Sequence, residues 1–186
     1  PFGKFNAGST DEQISSLLQL TEQAIDSNTA LVIWPETAMS AAEWQDNVLY
    51  NTYYQPVFEF SKNHPAISII SGIETYKNYG YEKQTATART NASGTYYDAF
   101  NAAVHIHNGQ PIAFYNKSKL VPGVESLPTF LNFMAPVFEQ FGGTTGGYGR
   151  SESATAFSIP QNPYSSAPII CYESVYGEYV GEYVQQ

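Results

Sequence analysis

Between Thr10 and Ser27 apolar residues recur at Ile14, Leu17, Leu18, Ala24 and Ile25, with polar residues filling the positions between them. This spacing predicts an amphipathic helix, with Thr10 as its N-cap and Asp11 and Glu12 placed favourably in the first turn. The pattern then changes, because "NTALVIW" at 28–34 reads as a turn and a buried strand that Pro35 stops. Helix and strand recur: 55–63 has the spacing of a second helix, and "AISIISGIE" at 66–74 that of a second strand. Residues 76–96 are polar, rich in Tyr, Thr and Asn, and without period, so they read as a long loop.

A hairpin follows. "AFNAAVHIH" at 99–107 and "PIAFYNKS" at 111–118 flank "NGQ", a strong turn signal between two strand-like runs. Beyond it, 122–128 reads as a loop, 129–141 as a short helix, the glycine-rich 142–149 as another loop, and 154–159 and 167–172 as strands. Alternating helices and strands, without repeat or low-complexity linker, predict one α/β layered domain over 1–186 with mixed strand directions.

Composition narrows the possible partners. Seventeen acidic residues against 8 basic ones give a formal charge of −9, the wrong sign for gripping phosphate backbones, so nucleic acid is not an expected partner. Hydrophobic residues make up 42% of the chain, yet no apolar run approaches the roughly 18 residues of a membrane-spanning helix. The chain starts at Pro1 without the basic and then apolar pattern of a leader, and is expected to be a soluble piece of something longer. Its single cysteine cannot pair internally and says nothing about compartment.

That cysteine, Cys171, stands in "APIICYESVY" at 167–176, where four apolar residues precede it and polar ones follow. The run reads as a buried strand opening at its end, which suits a nucleophile; a small, inert core thiol is the competing reading. A thiol needs a base, and no histidine is singled out by spacing. His64 ends the second helix before Pro65, as a cap would, and His105 and His107 share one strand face without a convincing third metal ligand. Two other strand ends carry complementary groups. Glu36 follows a buried strand in "LVIWPET", where it is either a base or a neighbour to the cap of a following helix. Lys117 ends the second arm of the hairpin, as an oxyanion-stabilising cation or as an ordinary solvated lysine. Base, cation and thiol are together the parts of acyl transfer through a thioester. The glycine-rich loop lacks the Gly-Lys-Ser/Thr of a phosphate loop, and no G-x-S-x-G supports a serine nucleophile.

Taken in order, "WPET" at 34–37, "YNKSKLVPGVE" at 115–125 and "ICYESVYGE" at 170–178 resemble the three signature blocks of the nitrilase (carbon–nitrogen hydrolase) superfamily. The forms "WPETA" and "CYES" are most similar to its branch of membrane N-acyltransferases, which complete bacterial lipoproteins. The resemblance implies a nitrilase-like α-β-β-α sandwich with mixed sheets, incomplete at both ends of this chain. It implies Glu36 as general base, Lys117 as oxyanion-stabilising lysine and Cys171 as nucleophile. Glu125 would be a further essential acid, Tyr172 and Glu173 the residues beside the cysteine, and Trp34 part of the acyl pocket. "LVPGVES" departs from the commoner "LVPFGEY" by losing the Phe before the glycine and the Tyr after the acid.

No cofactor or metal is implied. The implied partners are a phospholipid acyl donor and a diacylglyceryl lipoprotein acceptor, with membrane attachment through segments absent from this chain. The implied location is the bacterial inner membrane, with the catalytic domain on its periplasmic side. The aromatic-rich stretches 76–100 and 127–141 are expected to form a membrane-facing lid. An amidase of the same superfamily and a non-catalytic interaction domain are the alternatives.

Overall fold

The computed structural model describes residues 9–122, 125 and 147–185. Helix α1 spans Thr10–Ala24. Its N-cap is Ser9 and not Thr10: the Ser9 hydroxyl accepts from the Glu12 amide at 3.4 Å, and the Glu12 carboxylate accepts from the Ser9 amide at 3.0 Å. This reciprocal box satisfies two amides that the helix itself leaves free. Strand β1, Leu31–Ile33, follows, and after a turn comes β2, Met39–Trp44. A stretch of 3-10 helix over 45–54 leads into α2, Gln55–Asn63, at the expected bounds. His64 caps its C-terminus, with its ring stacked on Phe60 at 4.3 Å.

The sheet is built on two long strands. Strand β3, Ser68–Gly80, pairs antiparallel with β5, Tyr96–His107, and β5 pairs antiparallel with β6, Gln110–Asn116. Strands β1 and β2 run parallel to β3, β1 against Ser68–Ile70 and β2 from Ile73 onward, and the short β4, Arg89–Thr90, adds to β5. The chain leaves the sheet between β1 and β2 and rejoins it, which puts Trp34–Ala38 at a strand end facing Ser71 and Gly72. Gly72 is there by necessity: a Cβ on it would lie 2.6 Å from Glu36 Cα and 2.8 Å from Pro35 O.

Successive residues of β5 face opposite sides of the sheet. Phe100, Ala102, Val104 and Ile106 join Ile14 of α1 and Val57, Phe58 and Phe60 of α2 in the main core. Ala103, with Ile70 and Tyr115, packs on the other face against Phe157, Ile159 and Ile170. Burial on both faces explains why the strand reads as a near-continuous apolar run. The second face is covered by a two-stranded antiparallel ladder, β7 at Phe157–Ser158 and β8 at Ser165–Ser166, and then by a 3-10 turn at Cys171–Val175 and helix α3 at Gly177–Glu182.

Four expectations change. Residues 76–80 and 96, read as loop, are strand, and β5 starts three residues before the expected 99, because aromatic side chains pair across the sheet: Trp44, Tyr76 and Tyr97 meet with ring centroids 5.4 to 6.0 Å apart. Within 76–100, strand takes 76–80, 89–90 and 96–100, and turns and bends lie between them. The expected strand over 167–172 is not one, since the ladder ends at Ser166 and Pro168 has no amide to extend it. Only Phe157–Ser158 of 154–159 is strand. No helix follows Glu36, so its reading as a neighbour to a helix cap fails; a turn and β2 follow instead. The helix expected over 129–141, most of the lid stretch 127–141 and most of the 122–128 loop lie outside the described residues. Among the described residues no helix is long and apolar enough to cross a membrane.

Candidate active site

Lys117 directly follows β6, its amide donating to Asn101 O at 2.9 Å, and its side chain is 1% exposed. It is not a solvated lysine. A buried ammonium must be paired, and here Nζ lies 2.9 Å from Glu125 Oε1 and 3.6 Å from Glu36 Oε1. Between the two carboxylates stands Asn101 of β5, whose Nδ2 donates to Glu36 Oε1 at 2.8 Å and to Glu125 Oε1 at 2.9 Å. Glu125 Oε2 also accepts the Val121 amide at 2.8 Å. Burial alone would raise the Glu125 pKa, but the Val121 amide, the Lys117 ammonium and the Asn101 amide outweigh it and hold the group below the usual carboxylate range. Glu125 is thus an ionised counter-charge fixed behind the lysine, while Glu36, with 34% of its side chain exposed, faces outward.

The outward side is a cavity of about 300 Å³, lined by Glu36 and Trp34 from the β1 end, by Ile70, Ser71 and Gly72 from β3, and by Ile170 and Cys171. Cys171 is exposed. Its backbone is left-handed, with φ at 48°, a region that non-glycine residues rarely occupy, and this turns the chain from the extended Ile170 into the 3-10 turn. Thr37, next to Glu36, has φ at 58°, so the segments carrying Glu36 and Cys171 each hold a left-handed turn residue. Trp34 is buried; its indole N–H donates to Thr21 Oγ1 at 3.0 Å, which pins one cavity wall to α1.

Glu173 does not face the cavity. It is fully buried, and its Oε1 accepts from the Tyr115 hydroxyl at 2.5 Å and the amides of Ser118 at 2.6 Å and Lys119 at 3.3 Å, while Oε2 accepts the Ile170 amide at 2.8 Å. It thereby ties the segment carrying Lys117 to the turn carrying Cys171. Tyr172 packs edge-on against Tyr176 at 5.3 Å and does not line the cavity.

The structure therefore joins Glu36, Lys117 and Glu125 in one polar cluster, places Cys171 and Trp34 on the cavity that Glu36 faces, and gives Glu173 a bracing position. Asn101 and Gly72 are not signalled by the sequence pattern. Asn101 is a polar residue inside an apolar strand, "AFNAAV", and Gly72 a glycine inside "ISIISGIE"; such interruptions are the traces these positions leave.

The layering corresponds to that of known proteins. Among solved structures, the glutamine-dependent NAD+ synthetase from Acinetobacter baumannii in complex with ADP aligns with 96% of this chain and 28% of its own, at a TM-score of 0.54 and 15% identity. The fold is accordingly a nitrilase-like mixed α/β fold, shared with the matched part of that synthetase. In sequence, the apolipoprotein N-acyltransferase of Chlorobaculum tepidum is 28% identical over 197 residues, spanning all of this chain. The chain spans 35% of the length of that relative. No family model matches the chain.

Proposed function

We propose that this chain is the catalytic core of a membrane N-acyltransferase, which moves a fatty acyl chain from a phospholipid, through a thioester on Cys171, to the N-terminal amine of diacylglyceryl-cysteine lipoproteins. The observation that carries this reading is the cavity that Glu36 and Cys171 line together, with the buried Lys117 ammonium 3.6 Å from that glutamate. The likeness to apolipoprotein N-acyltransferase over the whole chain supports the substrate class. Membrane attachment and a periplasmic orientation belong to the same proposal, through segments outside this chain.

In this mechanism Glu36 takes the Cys171 proton, and the thiolate attacks the ester carbonyl of the phospholipid. The Lys117 ammonium, already oriented by Glu125, stabilises the oxyanion that forms. The tetrahedral intermediate collapses with cleavage of the C–O bond, and lysophospholipid leaves with the proton held by Glu36. In the second half the α-amine attacks the thioester carbonyl, Glu36 accepts the amine proton and passes it to the departing thiolate, and the amide is released. Water reaching the thioester would turn transfer into hydrolysis, so an apolar wall around the cavity is a requirement of the chemistry.

The test is intact-protein mass spectrometry after incubation with phospholipid vesicles, beside Cys171→Ser. A thiol-dependent gain of one acyl chain supports the reading. Turnover of small amides without such a gain would assign the site to a hydrolase instead, and an unreactive thiol with neither activity would leave an interaction domain.

A further inference from the structure

The hairpin that carries Asn101 and Lys117 turns on two residues. Strand β5 ends at His107 and β6 begins at Gln110, its partner across the ladder, which leaves Asn108 and Gly109 for the turn. Both are left-handed, with φ at 49° and 73°, as in the type I′ turn whose twist matches the strands it joins. The register set here reaches the site. Asn101 lies on the first arm, and Lys117, directly after the second, donates its amide to Asn101 O at 2.9 Å.

Asn-Gly is also a reactive pair, because glycine has no side chain to shield its backbone nitrogen. In deamidation the Gly109 nitrogen gives up its proton and attacks Asn108 Cγ. The N–Cγ bond forms, the Cγ–Nδ2 bond breaks, and ammonia leaves with the proton. Water then opens the cyclic imide at one carbonyl or the other, giving aspartate or isoaspartate. Asn108 is exposed, and this is the only Asn-Gly pair in the chain. The nitrogen, however, is held. Gly109 N donates to Ser61 Oγ of α2 at 3.1 Å, and Ser61 is 0% exposed. Gly109 is itself buried against that helix: a Cβ on it would lie 3.1 Å from both Lys62 Cβ and Phe58 O. Taking the proton from this nitrogen breaks a buried hydrogen bond, and swinging it toward Cγ lifts the turn off α2.

We propose that Asn108 is a deamidation site and that Ser61 holds it unreacted in the folded chain. The reaction proceeds when the hairpin tip parts from α2 and frees the Gly109 nitrogen. Isoaspartate at 108 adds a backbone methylene to a loop of two residues, which then loses the I′ twist. The strain falls on the two arms, and so on the bond between Lys117 and Asn101.

The test is the rate of deamidation at about pH 8 and 37 °C, followed by intact mass, with peptide mapping to place the change at Asn108 and to separate isoaspartate from aspartate. Three samples are compared: folded wild type, wild type unfolded in urea, and folded Ser61→Ala. Folded wild type is expected to react about tenfold or more slowly than the unfolded chain, because the reacting atoms are held away from attack geometry, and Ser61→Ala should recover most of that gap. Equal rates in folded and unfolded wild type overturn the proposal, as does a folded Ser61→Ala that reacts as slowly as wild type. Hydrogen exchange of wild type gives an answer that does not depend on the variant folding. The Gly109 amide should be protected about as strongly as deamidation is slowed, since both require the same opening, and an unprotected amide contradicts the role given to Ser61. Chains purified with isoaspartate at 108 should lose protection at the Lys117 amide; unchanged protection there contradicts the reach of the turn to the site.

Discussion

A single amide spans two carboxylates: Asn101 Nδ2 donates to Glu36 Oε1 at 2.8 Å and to Glu125 Oε1 at 2.9 Å. The amide group thus fixes the direction of the Glu36 carboxylate relative to the lysine that both carboxylates share. Asn101→Ala is expected to slow Cys171 acylation about 10- to 100-fold by freeing Glu36, since an ångström of misplacement at a reacting group can cost that much. Asn101→Asp would crowd a third carboxylate against two others around one ammonium. It should destabilise the fold more than the alanine does at neutral pH and recover in acid, where carboxylates protonate. Thermal melts at pH 7 and pH 4 check this.

Gly72→Ala probes Glu36 through the backbone. Its Cβ would meet Glu36 Cα and Thr37 N at 2.6 Å, so the turn carrying Glu36 must shift. A loss of about 1–3 kcal/mol in stability is expected, from overpacking against backbone that cannot rotate away. Acylation should fall by more than this instability explains, which a rate measured well below the melting temperature will show.

Glu173 holds two segments together, and removing it leaves the buried amides of Ser118 and Ile170 without acceptors. Glu173→Ala is expected to cost about 2–5 kcal/mol, read by denaturant unfolding. Glu173→Gln keeps one carbonyl acceptor and should lose less. If Glu173 acts by bracing, the activity lost in both variants will follow their stability.

His105 gives the fold an acid-sensitive element. It is 1% exposed, lies 5.4 Å from the Phe157 ring, and has no partner at Nε2. Burial, with a smaller contribution from His107, pushes its pKa down to about 4. In the unfolded chain the same group protonates near 6.5, so between those values the unfolded state binds the extra proton. Stability from this group is complete above pH 6.5 and lost as pH falls toward 4. Urea unfolding across that window should show a slope about one proton steeper in wild type than in His105→Leu, equivalent to about 1.4 kcal/mol per pH unit at most.

Much of this architecture is legible in the sequence because the relevant patterns are local. α2 lies where its spacing puts it, and "NGQ" joins the two strands it flanks, since turn chemistry and helical periodicity act over a few residues. Glu36, Lys117 and Cys171 are readable as the polar ends of apolar runs. What is hidden depends on partners remote in sequence. Residues 76–80 and 96–98 become strand only when Tyr76 meets Tyr97, and β2, whose "MSAAEW" has no strand-like alternation, forms because β3 offers it an edge. Asn101 escapes notice for the same reason: an Asn among alanines acquires meaning only when Glu36, 65 positions away, lies against it. Cys171 was expected at the end of a strand, but Pro168 ends the ladder early, and a left-handed turn presents the thiol instead.

In the proposed mechanism Glu36 activates Cys171 across the cavity they line. The most direct test is the rate at which Cys171 is acylated by a p-nitrophenyl acyl ester, followed by intact mass, in wild type and Glu36→Gln at matched stability. A fall of about 100-fold or more at neutral pH, with the acyl group located on Cys171, is the predicted result for loss of a general base. Equal rates in the two proteins, or acylation that survives Cys171→Ser, would contradict it.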